Sequence, residues 1–136
     1  MTQTFKINNK SIQIDTSKTI EFYLSQKKIL DNCKCDDCNF YATTFIKENL
    51  EIFKILRSMG VDLEKNLSSE PTGVWCIRDD GKFLHCEQVY QTEGKFSNCD
   101  TSEVKYENIE NGFKVSATFL KAGDDKVGIE LIVDKV

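Results

Sequence analysis

Apolar and polar positions alternate near the start of the chain. Phe5 and Ile7, then Ile12 and Ile14, are interleaved with Lys6, Asn8, Gln13 and Asp15, the period of a strand that buries one face. Asn8-Asn9-Lys10-Ser11 separates the two runs with turn-forming residues, which predicts an N-terminal β-hairpin. Thr16 and Ser17 offer helix caps ahead of Ile20, Tyr23 and Leu24. Ile20, Phe22 and Leu24 also alternate, so a strand competes with the favoured short helix here.

From Asp36 the period changes. Phe40, Tyr41 and Phe45, then Leu50, Phe53 and Leu56, recur at spacings that place them on one helical face. Asn49 is a possible cap for the second of these helices, which is expected to run to Ser58 and stop at Gly60 in the left-handed conformation. The aromatic stripe is read as core.

After Pro71 the pattern is that of strands. Asp79-Asp80-Gly81-Lys82 is a hairpin turn between strands near Gly73–Arg78 and Phe83–Gln91. Asn111-Gly112 joins Val104–Ile109 to Phe113–Leu120, where Phe113, Val115, Ala117 and Phe119 alternate with Lys114, Ser116 and Thr118. Val127, Ile129, Leu131 and Val133 repeat the alternation beyond Ala122-Gly123-Asp124-Asp125. The expected fold is α+β with two layers: an N-terminal hairpin, two or three central helices, and a C-terminal antiparallel sheet with one buried face.

A length of 136 residues, one proline, seven glycines and no repeat or low-complexity tract predict a single domain spanning 1–136. Hydrophobic residues at 40% and charged ones at 29% are globular proportions. The opening Met1-Thr2-Gln3-Thr4-Phe5-Lys6 lacks the layout of a signal peptide, and no apolar run is long enough for a bilayer. The expectation is a soluble, cytoplasmic protein. A net charge of −4, with 18 basic residues scattered among 22 acidic ones, argues against nucleic acid and suits a more basic protein partner.

The local signal that stands above this background is Cys33-Lys34-Cys35-Asp36-Asp37-Cys38. Three thiols within six residues, just ahead of a helix, can converge on one ion, and the helix N-terminus favours thiolate. Zinc is the expected cofactor, and a structural zinc site takes four ligands. Candidates for the fourth are Cys76, His85, Cys86 and Cys99. On a strand His85 and Cys86 point to opposite faces, whereas Cys99 lies in an irregular stretch with more reach, so the expected set is Cys33, Cys35, Cys38 and Cys99. A second C-x-x-C is missing, and Asp36 and Asp37 add negative charge beside the thiolates. Other readings stay open: thiols packed as small apolar groups, a redox pair formed by Cys35 and Cys38, and disulfides, since six cysteines allow three bridges if the protein is exported. A thioredoxin-like site would need a parallel βαβ start and a cis-proline, a role that Glu70-Pro71-Thr72 fits poorly.

With Cys33-Lys34-Cys35-Asp36-Asp37-Cys38-Asn39-Phe40-Tyr41 quoted, the chain resembles small bacterial proteins that carry a C-x-C-x-x-C-x-[FY] segment before a helix. The resemblance runs through Leu56-Arg57-Ser58-Met59-Gly60-Val61-Asp62 to Cys86-Glu87-Gln88-Val89-Tyr90-Gln91-Thr92-Glu93-Gly94. It covers about Asp31 to Gly94 and implies no activity.

No glycine-rich phosphate loop, serine-hydrolase elbow or Cys–His nucleophile pair is present in the sequence, so an enzyme is the least favoured class. Two others are expected ahead of it. The first is a small cytosolic protein-binding module, such as an inhibitor or immunity protein that neutralises a toxin. Trp75 and Tyr90 are its anchor candidates, provided that they are exposed. The second is a zinc-binding or thiol-redox protein built on Cys33, Cys35 and Cys38.

Overall fold

The computed structural model describes residues 2–65, 75–79 and 82–136. Seven antiparallel strands form one sheet: β1 (Thr2–Ile7), β2 (Lys10–Asp15), β3 (Trp75–Asp79), β4 (Lys82–Phe96), β5 (Glu103–Glu110), β6 (Phe113–Gly123) and β7 (Lys126–Lys135). Their order is β1-β2-β4-β7-β6-β5, with β3 paired to β4. Among the described residues, four short helices, α1 (Thr16–Leu24), α2 (Ile29–Asn32), α3 (Asp36–Thr43) and α4 (Glu51–Ser58), precede β3, and a 3-10 turn spans Phe45–Lys47.

Turn chemistry sets the register of both tight hairpins. Asn8 and Asn9 have φ of 49° and 69°, and Asn111 and Gly112 have φ of 51° and 79°, the paired left-handed conformations of a two-residue hairpin turn. Ile7 therefore faces Lys10, and Glu110 faces Phe113. Beyond these turns the alternation works as expected. Val115, Ala117, Phe119, Ile129, Leu131 and Val133 are all buried on one face, and the helices cover that face. Phe45 stacks on Phe83 at 4.7 Å between ring centroids and meets the edge of Phe113 at 5.6 Å, tying the 3-10 turn to β4 and β6.

β4 organises the sheet. One of its edges pairs with β7 from His85 to Glu93. The other carries two strands in succession, β3 opposite Lys82–Glu87 and β2 opposite Gly94–Phe96. Between them no described strand pairs with this edge, and α1 reaches it instead. The Gln91 N–H donates to the Tyr23 hydroxyl at 2.9 Å, that hydroxyl donates to the Gln91 carbonyl at 2.7 Å, and the Glu93 N–H donates to Thr19 Oγ1 at 3.0 Å. Side chains of one helix thus satisfy backbone groups on this edge. At the far ends of the sheet the outer strands approach each other, where the Asn8 side-chain amide donates to the Lys105 carbonyl at 3.4 Å.

This arrangement overturns the expected two-layer α+β architecture with a central helical layer. About half of the described residues are strand and about a quarter helix. The N-terminal hairpin is part of the same sheet as the C-terminal strands, joined through Ile12 opposite Phe96 and Ile14 opposite Gly94. The physical reason is the length of β4, which continues past Gln91 to Phe96. A side chain at Gly94 would press its Cβ to 2.4 Å from the Gln13 carbonyl, so glycine there marks close strand contact rather than a loop.

The expected short helix after Thr16 forms as α1, but Asp15 caps it, accepting from the Lys18 N–H at 3.0 Å. Gly60 ends α4 with φ of 96°. Val61 N–H reaches the Leu56 carbonyl and Gly60 N–H the Arg57 carbonyl, both at 3.0 Å, the double closure typical of a left-handed helix stop. Asp80, Gly81 and Glu70-Pro71-Thr72 lie outside the described residues.

Candidate metal centre

Cys33, Lys34 and Cys35 form an extended link between two helices. Cys33 closes α2, its N–H donating to the Ile29 carbonyl at 2.9 Å, and its backbone is extended. Cys35 is the N-cap of α3, the place where a serine or aspartate oxygen usually accepts a free helical N–H. Here a sulfur does so, taking the Cys38 N–H at 3.4 Å. Cys38, one turn on, faces inward and is buried, Cys33 is half-buried, and Cys35 is exposed. The three sulfurs lie within 4.8 Å of one another, close enough to hold one metal ion.

Local hydrogen bonding favours thiolate at Cys35. The hydrogen bond from the Cys38 N–H, and then one from the Cys33 thiol, hold its pKa below that of an ordinary cysteine. The acidic pair that follows is partly balanced: Asp37 forms an ion pair with Arg78 of β3 at 2.9 Å. Arg78 also lies 5.9 Å from the Phe40 ring centroid, so one guanidinium pins α3 to β3 and offsets charge next to the cluster.

Cys99 does not join this group. It is exposed in the connection between β4 and β5, beside Asp100, and lines a small surface cavity with Lys95, Lys121 and Lys126. β4 starts near α3 and carries Cys99 to its opposite end. From Cys86 to Phe96 the strand advances roughly 30 Å, which removes Cys99 as the fourth ligand.

Two further cysteines form a pair of their own. Cys76 of β3 stands opposite Cys86 of β4, and their sulfurs hydrogen-bond at 3.0 Å. Both point into the buried face. The hydrogen bond shared with Cys86 lowers the Cys76 pKa, and the same bond, followed by burial, raises that of Cys86. β3 also carries Arg78, paired with Asp37 at the start of α3, so the pair and the cluster share one end of the molecule.

This pairing was hidden by a bulge. Asp79 faces Lys82 and Arg78 faces Phe83, but Ile77 faces His85, so Leu84 is an extra residue. Without it Cys76 would stand opposite His85. His85 instead points to the outer face, as strand parity requires, and its two ring nitrogens contact Asp134 and Glu87. It is not available to the thiol cluster.

Of the two expected anchors, Tyr90 is fully buried. Its condition of exposure is not met, and it is a core residue. Trp75 enters β3 opposite Glu87, and its side chain lies outside the described residues.

No protein-family model, curated protein or solved structure matches the chain. No helix among the described residues is long and apolar enough to cross a membrane.

Proposed function

We propose that this chain is a zinc-binding protein whose metal is held by Cys33, Cys35 and Cys38. The observation that carries the reading is the convergence of three sulfurs from one short segment. Soft thiolate donors select zinc over magnesium or calcium, and a d¹⁰ ion accepts the tetrahedral arrangement that three such sulfurs begin. The chain supplies part of the thiolate stabilisation itself through the Cys38 N–H.

With Cys99 remote, the described residues supply three ligands and leave the fourth position to solvent or to a ligand from elsewhere. The exposure of Cys35 leaves that side accessible. The ion would tie the end of α2 to the start of α3. Because metal binding of this kind is coupled to folding, it would stabilise the helical cover of the sheet.

The competing reading as a protein-binding module has lost Tyr90 as an anchor and keeps Trp75, the small size and the acidic balance as its support.

Metal analysis of reduced protein, purified without chelator, tests the zinc reading. About one zinc per chain is expected, together with intense sulfur-to-metal charge-transfer absorption when cobalt(II) replaces it. The double variant Cys35→Ser, Cys38→Ser should lose both signals. Wild-type protein with well below one equivalent of zinc and no thiolate band with cobalt would remove the reading.

A further inference from the structure

We infer that Cys76 and Cys86 form a second thiol site, a cross-strand dithiol that a small peroxide oxidises reversibly to a disulfide. This site is separate from the three-cysteine cluster, and the inference does not depend on metal being bound there.

The geometry carries the argument. Residues directly opposite in an antiparallel ladder have Cα atoms roughly 4.5 or 5.5 Å apart, depending on the hydrogen-bonding position. Both separations fall inside the span that a disulfide accepts. Cys76 and Cys86 occupy such a position, point to the same face, and already bring their sulfurs to 3.0 Å. A bond can close by side-chain rotation, without moving either strand. The bulge at Leu84 makes this register, since a regular hairpin would oppose Cys76 to His85.

Burial selects the reagent. Cys76 retains 8% of its surface and Cys86 2%, which admits a small peroxide more readily than a protein thiol or a bulky disulfide. Cys76 is the more open sulfur and therefore the point of entry. Its thiolate attacks one peroxide oxygen: an S–O bond forms, the O–O bond breaks, and the departing hydroxide takes a proton to become water. The sulfur of Cys86 then displaces the hydroxyl from Cys76. An S–S bond forms, the S–O bond breaks, and the leaving hydroxide takes the Cys86 proton. In sum, one dithiol and one hydrogen peroxide give one disulfide and two waters. A dithiol reductant reverses the step by thiol–disulfide exchange.

The product would staple β3 to β4. β3 also carries Arg78, which is paired with Asp37 at the start of α3. The oxidation state of the pair therefore bears on how firmly this edge strand holds the helix that follows the cysteine cluster.

Peptide mapping tests the inference, because the lysines and arginines of the chain isolate the relevant thiols. Trypsin places Cys33 in residues 29–34, Cys35 and Cys38 in 35–47, Cys76 in 66–78, Cys86 in 83–95 and Cys99 in 96–105. Reduced protein, purified without chelator, is treated with hydrogen peroxide. It is then alkylated under denaturing conditions and digested without reductant. The expected result is a linked 66–78/83–95 pair, with two hydrogens lost, that dithiothreitol separates. The link should be absent from Cys76→Ser and Cys86→Ser and present in Cys99→Ser. Wild-type far-UV circular dichroism should be unchanged by oxidation, which keeps the test meaningful even if a serine variant folds poorly. Recovery of both peptides alkylated, or oxidation confined to 29–47 or 96–105, would overturn the inference.

Discussion

The hydroxyls of Tyr41 and Tyr90 meet 2.6 Å apart in the protein interior, and Tyr90 donates onward to the Leu63 carbonyl at 2.8 Å. The order of donation follows. Tyr90 gives its proton to Leu63, so Tyr41 gives its own to the Tyr90 oxygen. Burial raises both phenol pKa values well above normal and keeps the chain neutral. The two tyrosines are therefore unequal. Tyr90→Phe strands a carbonyl and a hydroxyl together and should cost about 1–3 kcal/mol, while Tyr41→Phe leaves the Leu63 bond in place and should cost about 1 kcal/mol. Urea denaturation of the two variants decides the order; a larger loss from Tyr41→Phe would refute the assigned direction.

The open stretch of the β4 edge makes a second demand on one side chain. Tyr23 both accepts from and donates to the backbone of Gln91. Replacing it with phenylalanine keeps the ring and removes both partners of a half-buried peptide group. We expect a loss of about 1–3 kcal/mol, with faster amide exchange at Gln91 and little change at Tyr90. Unchanged exchange at Gln91 would show that α1 does not seal the edge.

Two glycines resist substitution for different reasons. At Gly60 an added Cβ would meet the Thr16 carbonyl at 2.8 Å, in a backbone conformation with φ of 96°. At Gly94 it would meet the Gln13 carbonyl at 2.4 Å, between two strands. Gly60→Ala should destabilise by more than about 1 kcal/mol through strain and local displacement. Gly94→Ala should also loosen the β2–β4 pairing, seen as faster amide exchange in Lys10–Asp15. Selective exchange in β2 is the signature to look for; a uniform loss across the sheet would count against a local cause.

Local structure was more legible than architecture. Asn111-Gly112, Gly60 and the alternation of Phe113–Phe119 each encode their conformation in a few adjacent residues, and sequence patterning reads them directly. The joining of the hairpin to β4 depends on contact between Ile14 and Gly94, remote in sequence, and Glu93-Gly94-Lys95 carries too little apolar character to advertise a strand. The site divides along the same line. Cys33, Cys35 and Cys38 are neighbours in sequence and meet in space, whereas the exclusion of Cys99 follows from the full run of β4. The Cys76–Cys86 pair required the bulge at Leu84, which no residue type announces. An extra residue in a strand shifts every later partner, so register beyond a turn is lost to pattern reading at the first bulge.

His85 supplies a pH signature on the outer face. Burial opposes its charge, but hydrogen bonds to Asp134 and Glu87, reinforced by their negative charge, raise its pKa above the ordinary value. The folded protein thus holds the proton more tightly than the unfolded chain. The resulting stability is fully present below the unfolded pKa, about 6.5, and fades as pH rises through the higher folded value. His85→Gln should therefore cost more stability at pH 5.5 than at pH 9, measured against wild type in parallel urea titrations. An equal cost at both values would mean that the two carboxylates do not hold the charged ring.

Chelation separates the cluster cysteines from the remote one. If Cys33, Cys35 and Cys38 hold zinc, a strong chelator lowers the melting temperature of the wild-type protein, since ligand removal returns the binding free energy that folding had gained. Cys99→Ser should behave like wild type, carrying the same zinc and showing the same drop, because Cys99 sits at the other end of β4. Cys38→Ser should start from a lower melting temperature and respond little to chelator. Acid should mimic the chelator, because each sulfur binds as thiolate and protons compete for it; zinc release followed with a colorimetric dye should rise as pH falls. Parallel melting curves with and without chelator, across wild type and these two variants, supply the comparison. A chelator-insensitive wild type would refute structural zinc binding, and a Cys99→Ser variant that lost its zinc would return Cys99 to the ligand set.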